Sequence, residues 1–406
     1  MEKFDILFLG RLFPKAEEFE IKRKMKTGMA DAANALQWSI IDGMEKNSCG
    51  KLTILNYLPV NSFPNGYDDF YIKEFNFQHK QGLKTDVNVG HCNLSIVKQI
   101  TNIIPYCYKV RKWVNDGEKR RKVLFLYSAQ PLSLELARFV KHLNNQIETV
   151  CLIADIPEYN TIGELTGIRK AFNDYETRKT NALYRYIDKF VLLTEQMAQR
   201  LDIHVPYTVM EGIAPESDTE TDETFVKQFS DEKFVLYTGT LNYEFGIGIL
   251  LEAFSKIPNQ DLKLVICGFG EAENAILESR DKRLVYLGKV DRKQALALQQ
   301  CATVLVNPRQ NNNEFTKYSF PSKTMEYLAS GVPVVAYKLD GIPDEYDKYL
   351  NYVPDDTPES LAEKIIEICS MPDSGRKEAG KRAKQFVLNE KNSLVQAKRI
   401  LELIDN

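Results

Sequence analysis

The sequence has no surplus of either charge. Lys and Arg number 53 against 56 Asp and Glu, a formal net charge of −3 over 406 residues. That balance excludes a protein whose main business is neutralising nucleic-acid phosphates. No run approaches the roughly 18 apolar residues that a membrane-spanning helix needs. The start, Met1-Glu2-Lys3 and then Phe4-Asp5-Ile6-Leu7-Phe8-Leu9-Gly10, lacks the longer apolar stretch and small-residue cleavage site of a signal peptide and reads as a buried strand. A cytoplasmic location is therefore expected. Seven cysteines, at 49, 92, 107, 151, 267, 301 and 369, are odd in number and never spaced C-x-x-C. This speaks against a disulfide framework or a local zinc knuckle and fits a reducing compartment.

Several phosphate and metal motifs are missing as well. Gly268-Phe269-Gly270-Glu271-Ala272-Glu273 follows a strand but places Glu273 where a dinucleotide fingerprint needs its third small residue. Gly10-Arg11-Leu12-Phe13-Pro14 does not fit that fingerprint either. A nicotinamide oxidoreductase is thus unsupported, and the absence of G-x-x-x-x-G-K-[ST] removes a P-loop. There is no Asp-x-Asp pair, the minimum for a metal-bridged diphosphate.

What the chain does have is alternation. Short runs rich in β-branched and aromatic residues predict strands over 5–9, 52–57, 123–127, 150–154 and 189–193. Helical patterns fill 21–44, 93–115, 132–143, 166–187 and 196–201 between them. Continuous apolar strands with helical crossovers imply a parallel sheet covered on both faces. The polar stretch 211–224 interrupts the pattern and is the best linker candidate. The alternation then restarts, with strands over 234–237, 262–267, 284–287, 302–306, 332–337 and 350–353. Helices are expected over 247–257, 272–278, 292–300 and 322–329, followed by a helical tail over 358–369, 376–388 and 393–403. The fold class is therefore α/β, with two doubly wound domains in tandem. Ligands in such sheets bind outside the carboxyl ends of the strands, which makes the cleft between two such domains the default site.

The most informative stretch runs from Asn307 to Tyr337. It reads as a strand end, a polar loop, a helix and a following strand. Pro321 suits the first turn of the helix, with Ser319 or Phe320 as entry residue. Ser322 and Lys323 then add a hydroxyl and a cation to the positive helix end, the makings of an anion site. Glu326 lies three and four residues on, on the same side. Taken singly, Glu326 would be an ordinary solvated carboxylate and Gly239 an ordinary strand-ending glycine; it is the combination that carries weight.

The block Phe320-Pro321-Ser322-Lys323-x-x-Glu326-Tyr327-x-Ala329-x-Gly331-x-Pro333-Val334-Val335-Ala336 resembles the donor-binding signature of GT-B glycosyltransferases, specifically the family 4-like retaining group. Flanking matches occur in order: Tyr237-Thr238-Gly239-Thr240-Leu241 with Gly246, then Gly268-Phe269-Gly270, then Tyr286-Leu287-Gly288-x-Val290. Before the linker only Gly10 and the segment Asp155-Ile156-Pro157-Glu158-Tyr159 look like landmarks of that family.

The resemblance implies two Rossmann-like domains facing across a cleft. Residues 1–208 would bind acceptor and 209–389 the nucleotide-sugar donor, with the last helix, 390–406, crossing back to the first domain. Glu326 would meet the ribose hydroxyls and the backbone near Gly288–Val290 the base. Gly239 and Thr240, with Gly268 and Gly270, would approach the diphosphate, and Ser322 and Lys323 would cradle it. Lys323 and Asp155 are the expected catalytic residues, and Gly10 and Arg11 the acceptor-side ones.

The chain departs from the pattern where many relatives place an Arg and a Lys around the diphosphate; Thr240 and Phe245 stand there instead. The positive charge is inferred to have moved to Lys323, with Arg309 or Lys317 from the loop. Tyr318 replaces a first acidic residue, and Ala154 a histidine.

The implied reaction moves a sugar from a UDP- or GDP-linked donor to a saccharide or lipid-linked acceptor hydroxyl, with retention and without a metal or other cofactor, in the synthesis of cell-surface polysaccharide or glycoconjugate. A nucleotide-sugar epimerase and a catalytically silent nucleotide-binding subunit remain as alternatives. A basic and aromatic segment, Tyr106, Tyr108, Lys109, Arg111, Lys112 and Trp113 with 119–122, suits peripheral contact with anionic lipid at the inner face of the plasma membrane, at about 1 kcal/mol per cation.

Overall fold

A computed structural model of the chain describes residues 4–27, 31–83, 85–95, 98, 102–156, 167, 177–215, 222–229, 232–312 and 314–406. It divides into two compact units, Met1–Ile213 together with Ser393–Asn406, and Ala214–Asn392.

The first unit contains β1 (Phe4–Gly10), β2 (Gly50–Asn56), β3 (Tyr71–Ile72), β4 (Phe75–Phe77), β5 (Asp86–Asn88), β6 (His91–Cys92), β7 (Arg121–Tyr127), β8 (Glu148–Ile153), β9 (Lys189–Leu192) and β10 (Tyr207–Val209). Eight of them form one sheet in the order β10-β9-β8-β7-β1-β2-β5-β4, and β3 pairs with β6. The large sheet is parallel apart from β4, which runs antiparallel to β5. Every residue of β1 and β8 is buried, which is why Ile6–Leu9 and Val150–Ile153 read as continuous apolar runs instead of alternating ones, with Asp5, Glu148 and Thr149 as buried polar exceptions near the strand starts. On one face Phe4, Ile6 and Phe8 pack with Ile40 and Met44 of the helix Asp31–Lys46 and with Ile400, Leu401 and Ile404 of the helix Ser393–Asp405. Those two helices touch at Gly43, where a Cβ would stand 2.1 Å from the Ser393 carbonyl oxygen.

The second unit holds β11 (Phe234–Thr238), β12 (Lys263–Cys267), β13 (Leu284–Tyr286), β14 (Val304–Asn307), β15 (Val334–Ala336) and β16 (Leu350–Tyr352). They form a wholly parallel sheet in the order β13-β12-β11-β14-β15-β16. Phe234 and Leu236 enter one core with Leu328 and Val387, while Val235 and Tyr237 enter another with Leu250, Phe254 and Ile365. Alternate residues of one strand thus reach cores on both faces. The strand order reverses between β1 and β7 in the first sheet and between β11 and β14 in the second. Beyond the carboxyl ends of such strand pairs lies the crevice where ligands bind in doubly wound sheets.

Several elements differ from the sequence expectation. The helix expected over 21–44 is two, Glu18–Lys24 and Asp31–Lys46. The first stops because Met25 is extended and bridges to Tyr67. Of the helix expected over 93–115, Ile103–Val114 and Lys98 are helical, whereas Leu94 bridges to Phe63 and β6 runs just before it; residues 96, 97 and 99–101 lie outside the described residues. At the end of the 166–187 helix, Tyr184–Tyr186 forms a 3-10 turn. Residues 177–183 of that helix are helical as expected, while 166 and 168–176, the landmark residues 157–159 and linker residues 216–221 lie outside the described residues.

Candidate active site

The loop after β11 meets the start of the helix Ser322–Ser330 at the switch point of the second sheet. Gly239 has φ +139°, a conformation that side chains disfavour, and a Cβ there would stand 2.0 Å from both Cε and Nζ of Lys323. The lysine's end therefore lies in the space that the glycine leaves open. Its Nζ donates to the Tyr237 hydroxyl at 2.9 Å and sits 4.3 Å from the centre of that ring. Tyr237 in turn donates to the Thr240 carbonyl at 2.7 Å. Burial pulls the Lys323 ammonium down to about 7, with Glu326 opposing the shift and Arg309 adding to it. A half-buried lysine this far below its ordinary value is poised to gain charge when an anion arrives.

The helix begins at Ser322, as the expected span 322–329 has it; Pro321, expected in the first turn, is extended (φ −67°, ψ 108°) and stands at the N-cap instead, which makes no side-chain cap bond. Ser322 itself is exposed. One turn on, Glu326 accepts from the Gln299 amide at 2.7 Å and meets Arg292 at 3.3 Å, both on the helix Arg292–Cys301. Gln299 also donates to the Thr238 hydroxyl at 3.2 Å. Tyr327, wholly buried, accepts from the Thr238 N–H at 2.9 Å and so pins the end of β11 to the same helix.

Arg309, which follows β14, donates to the Ser319 hydroxyl at 2.9 Å and lies over the rings of Phe245 (5.5 Å) and Phe315 (4.7 Å). Phe245, one of the two departures from the family pattern, thus serves as a stacking surface for a cation supplied from elsewhere.

The remaining glycines bring backbones together. A Cβ on Gly268 (φ +142°) would overlap the Gly239 carbonyl oxygen at 1.7 Å, and the Gly268 N–H donates to the Gly288 carbonyl at 2.8 Å. Gly270 packs likewise against Asn242 and Leu241. Thr240 is exposed, and Val290 is half-buried against the core. Lys323, Gly239, Gly268, Arg309 and Glu326 are therefore neighbours: two cations and a helix start beside a glycine-lined floor, with a carboxylate one turn beyond. Such a set suits a polyanion that also carries hydroxyls.

Gly10, Arg11 and Asp155 belong to the first unit. Gly10 ends β1, and a Cβ there would meet nothing closer than 3.4 Å, so its backbone does not demand glycine. The Arg11 guanidinium lies over Tyr57, while Asp155 is exposed and, like Arg11, acts electrostatically on Tyr127.

Sequence reasoning gave no role to Tyr237, Gln299 or Arg292, which hold Lys323 and Glu326. Tyr237 lay in view within a quoted motif. The helix carrying Gln299 and Arg292 shows no signal in its own sequence.

The two doubly wound units define the class: this is the GT-B glycosyltransferase fold. Among solved structures, the chain is similar to sucrose-phosphate synthase from Thermosynechococcus elongatus (16% identity, TM-score 0.64, 99% of this chain and 98% of that one). It is also similar to a glycosyltransferase from Rickettsia africae (13%, TM-score 0.63, 100% of both chains) and to HepE from Anabaena in complex with UDP (14%, TM-score 0.59, 99% of both).

Residues 218–386, a stretch of the second unit, match the family model described as glycosyl transferases group 1. A curated relative, an uncharacterized glycosyltransferase from Methanocaldococcus jannaschii, is 31% identical over 141 residues. That match covers 32% of this chain and about a third (34%) of the relative's length.

Proposed function

We propose that the protein is a glycosyltransferase that moves a sugar from a nucleoside-diphosphate donor to an acceptor hydroxyl, with retention and without a metal. The observation that carries this reading is the seating of Lys323 on Gly239 at a helix start, with Glu326 one turn away. In the reaction the bond from the anomeric carbon to the diphosphate breaks while the acceptor oxygen bonds to that carbon; the leaving diphosphate gains negative charge, and its released oxygen takes up the acceptor's hydroxyl proton. Lys323, Arg309 and the first-turn N–H groups with Ser322 stabilise that charge. Glu326, already oriented by Gln299 and Arg292, accepts from the ribose hydroxyls, and the Gly288–Val290 segment holds the base. The first unit binds the acceptor, with Gly10, Arg11 and Asp155 on that side. UDP is the first nucleotide to try, because HepE carries it in a similar fold; GDP is the second.

An acceptor saccharide or lipid-linked sugar, as used in polysaccharide or glycoconjugate synthesis, agrees with a further feature of the first unit. On the helix Ile103–Val114, Ile104 and Tyr108 are 71% and 72% exposed and share a face with exposed Arg111. Large apolar groups beside cations suit peripheral contact with an anionic membrane. No helix among the described residues is long and apolar enough to cross one.

The test is thermal unfolding with UDP, GDP, ADP and CDP, each with and without EDTA. A nucleotide at a hundred times its Kd adds about 2.7 kcal/mol and should shift the melt clearly. One nucleotide is expected to do so with EDTA present, and Glu326→Ala should weaken it. Absence of a shift with all four removes the proposal.

A further inference from the structure

In the first unit a second set of nitrogen-bearing side chains gathers just beyond β1, β2 and β6. The Arg11 guanidinium carbon lies 5.7 Å from the Tyr57 ring centre, and that ring stacks on His91 at 4.3 Å. Asn102 donates to the Tyr57 hydroxyl at 3.3 Å, and buried Tyr106 donates to the Asn56 carbonyl at 2.8 Å. Lys98 is near enough to Arg11 for the guanidinium to oppose its charge, and its own charge opposes protonation of His91. Burial lowers all three groups, His91 down to about 4. The imidazole is thus neutral. Its Nδ1 sits 2.9 Å from the Val89 carbonyl and carries the proton, which leaves Nε2 as a buried acceptor with no partner among the described residues.

Cations that leave water elsewhere in this unit are matched. Lys122 pairs with Asp116, Lys141 with Asp188 and Lys189 with Glu148. Arg11 and Lys98 have no ion-pair partner among the described residues; the groups acting on Arg11 are the hydroxyls of Tyr57, Tyr106 and Tyr127. Two partly desolvated like charges that act on one another cost stability. A fold that retains them at a sheet's switch point is set up to receive the missing negative charge from a ligand.

We propose that Arg11 and Lys98 form an oxyanion site, with the Tyr57 hydroxyl and the Asn102 amide as neutral partners, and that the acceptor carries a phosphate or carboxylate there. Arg11 offers a planar two-donor fork to the anion and Lys98 a point charge. Only the word acceptor rests on the transferase reading; the anion site does not.

The experiment is calorimetric titration of inorganic phosphate, with acetate in a parallel arm. It uses the Lys323→Ala chain, so that the cation of the second unit does not answer. Binding of one of the two anions is expected, and Arg11→Gln and Lys98→Gln should each weaken it at least about tenfold while Arg11→Lys retains part of it. Preference for phosphate assigns a sugar phosphate, and preference for acetate a sugar acid. Because neither cation has a countercharge among the described residues, Arg11→Gln and Lys98→Gln should keep or raise the melting temperature, whereas a purely structural pair would lower it on mutation. Failure of both anions to bind, or binding indifferent to both substitutions, overturns the proposal. UDP and GDP titrated on Arg11→Gln separate the two readings. Nucleotide binding without anion binding sinks this inference alone; anion binding without nucleotide binding sinks the transferase reading alone.

Discussion

Lys323 gives the sharpest test of the donor site, because its charge depends on what is bound beside it. In the free protein burial brings the ammonium down to about 7. A diphosphate against it favours the charged form, so the complex holds the proton to much higher pH. Binding must then take up a proton above pH 7, and affinity must fall as pH rises. With a free value near 7 and a bound value above about 10, Kd should increase about 16-fold from pH 7.0 to 8.5, equivalent to about 1.6 kcal/mol. Uptake at pH 8 should be about 0.9 proton, measured by calorimetry in two buffers of different ionisation enthalpy. The nucleotide's own terminal phosphate, with a second pKa of about 6, is already ionised over this range. Arg309 stays charged throughout. Lys323→Met keeps a stem against Gly239 and Tyr237 but removes the titration. It should flatten the profile and, at pH 7, cost roughly 1.5–3 kcal/mol of nucleotide affinity. A flat wild-type profile, or the same slope in Lys323→Met, would refute the reasoning.

Three further outcomes follow from the same coordinates. Gly239→Ala must fit a methyl 2.0 Å from the Lys323 ammonium at φ +139°; strain of about 1–3 kcal/mol and a displaced lysine should show as a lower melting temperature and lost nucleotide binding. Tyr327→Phe leaves the buried Thr238 N–H without its acceptor and should destabilise the chain by about 1–3 kcal/mol in urea unfolding. His79, buried between Asp86 (2.7 Å) and Glu45 (3.3 Å), should make stability depend on pH. Burial works against its charge, but the two carboxylates outweigh it and hold the group above its ordinary 6.5. The folded state therefore binds the proton more tightly than the unfolded one. The stabilisation is complete below pH 6.5 and is lost as pH rises through the folded value. The urea midpoint of wild type relative to His79→Asn should accordingly shrink between pH 6 and 8; a constant difference would count against the pairing.

The alternation of apolar strands with amphipathic helices follows from sequence alone, because a strand buried on both faces is apolar along most of its length. β1, β8 and β11 show this directly. The helix start proposed as an anion site is equally local, since Pro321, Ser322, Lys323 and Glu326 lie within six consecutive residues and helical geometry puts the last two on one side. Short elements are not. β3 to β6 have two or three residues each and exist because partners pair with them, β3 with β6, β4 with β5 and β5 with β2, just as the isolated bridges Leu94–Phe63 and Met25–Tyr67 do. Local pattern cannot announce a partner tens of residues away.

The same limit separates the two halves of the site. Lys323 and Gly239 were singled out by their motifs. That the lysine occupies the glycine's missing side chain, sheds its charge through burial and rests on Tyr237 was decided by packing across 84 to 86 residues of chain. Glu326 owes its orientation to Gln299 and Arg292 on a helix with no motif of its own. The gathering of Arg11, Tyr57, His91 and Lys98 likewise depends on the order of the strands that carry them. Periodicity along the chain determines which residues are buried. Only the assembled sheet determines which buried charges meet, because electrostatic coupling acts through space and is blind to separation in sequence.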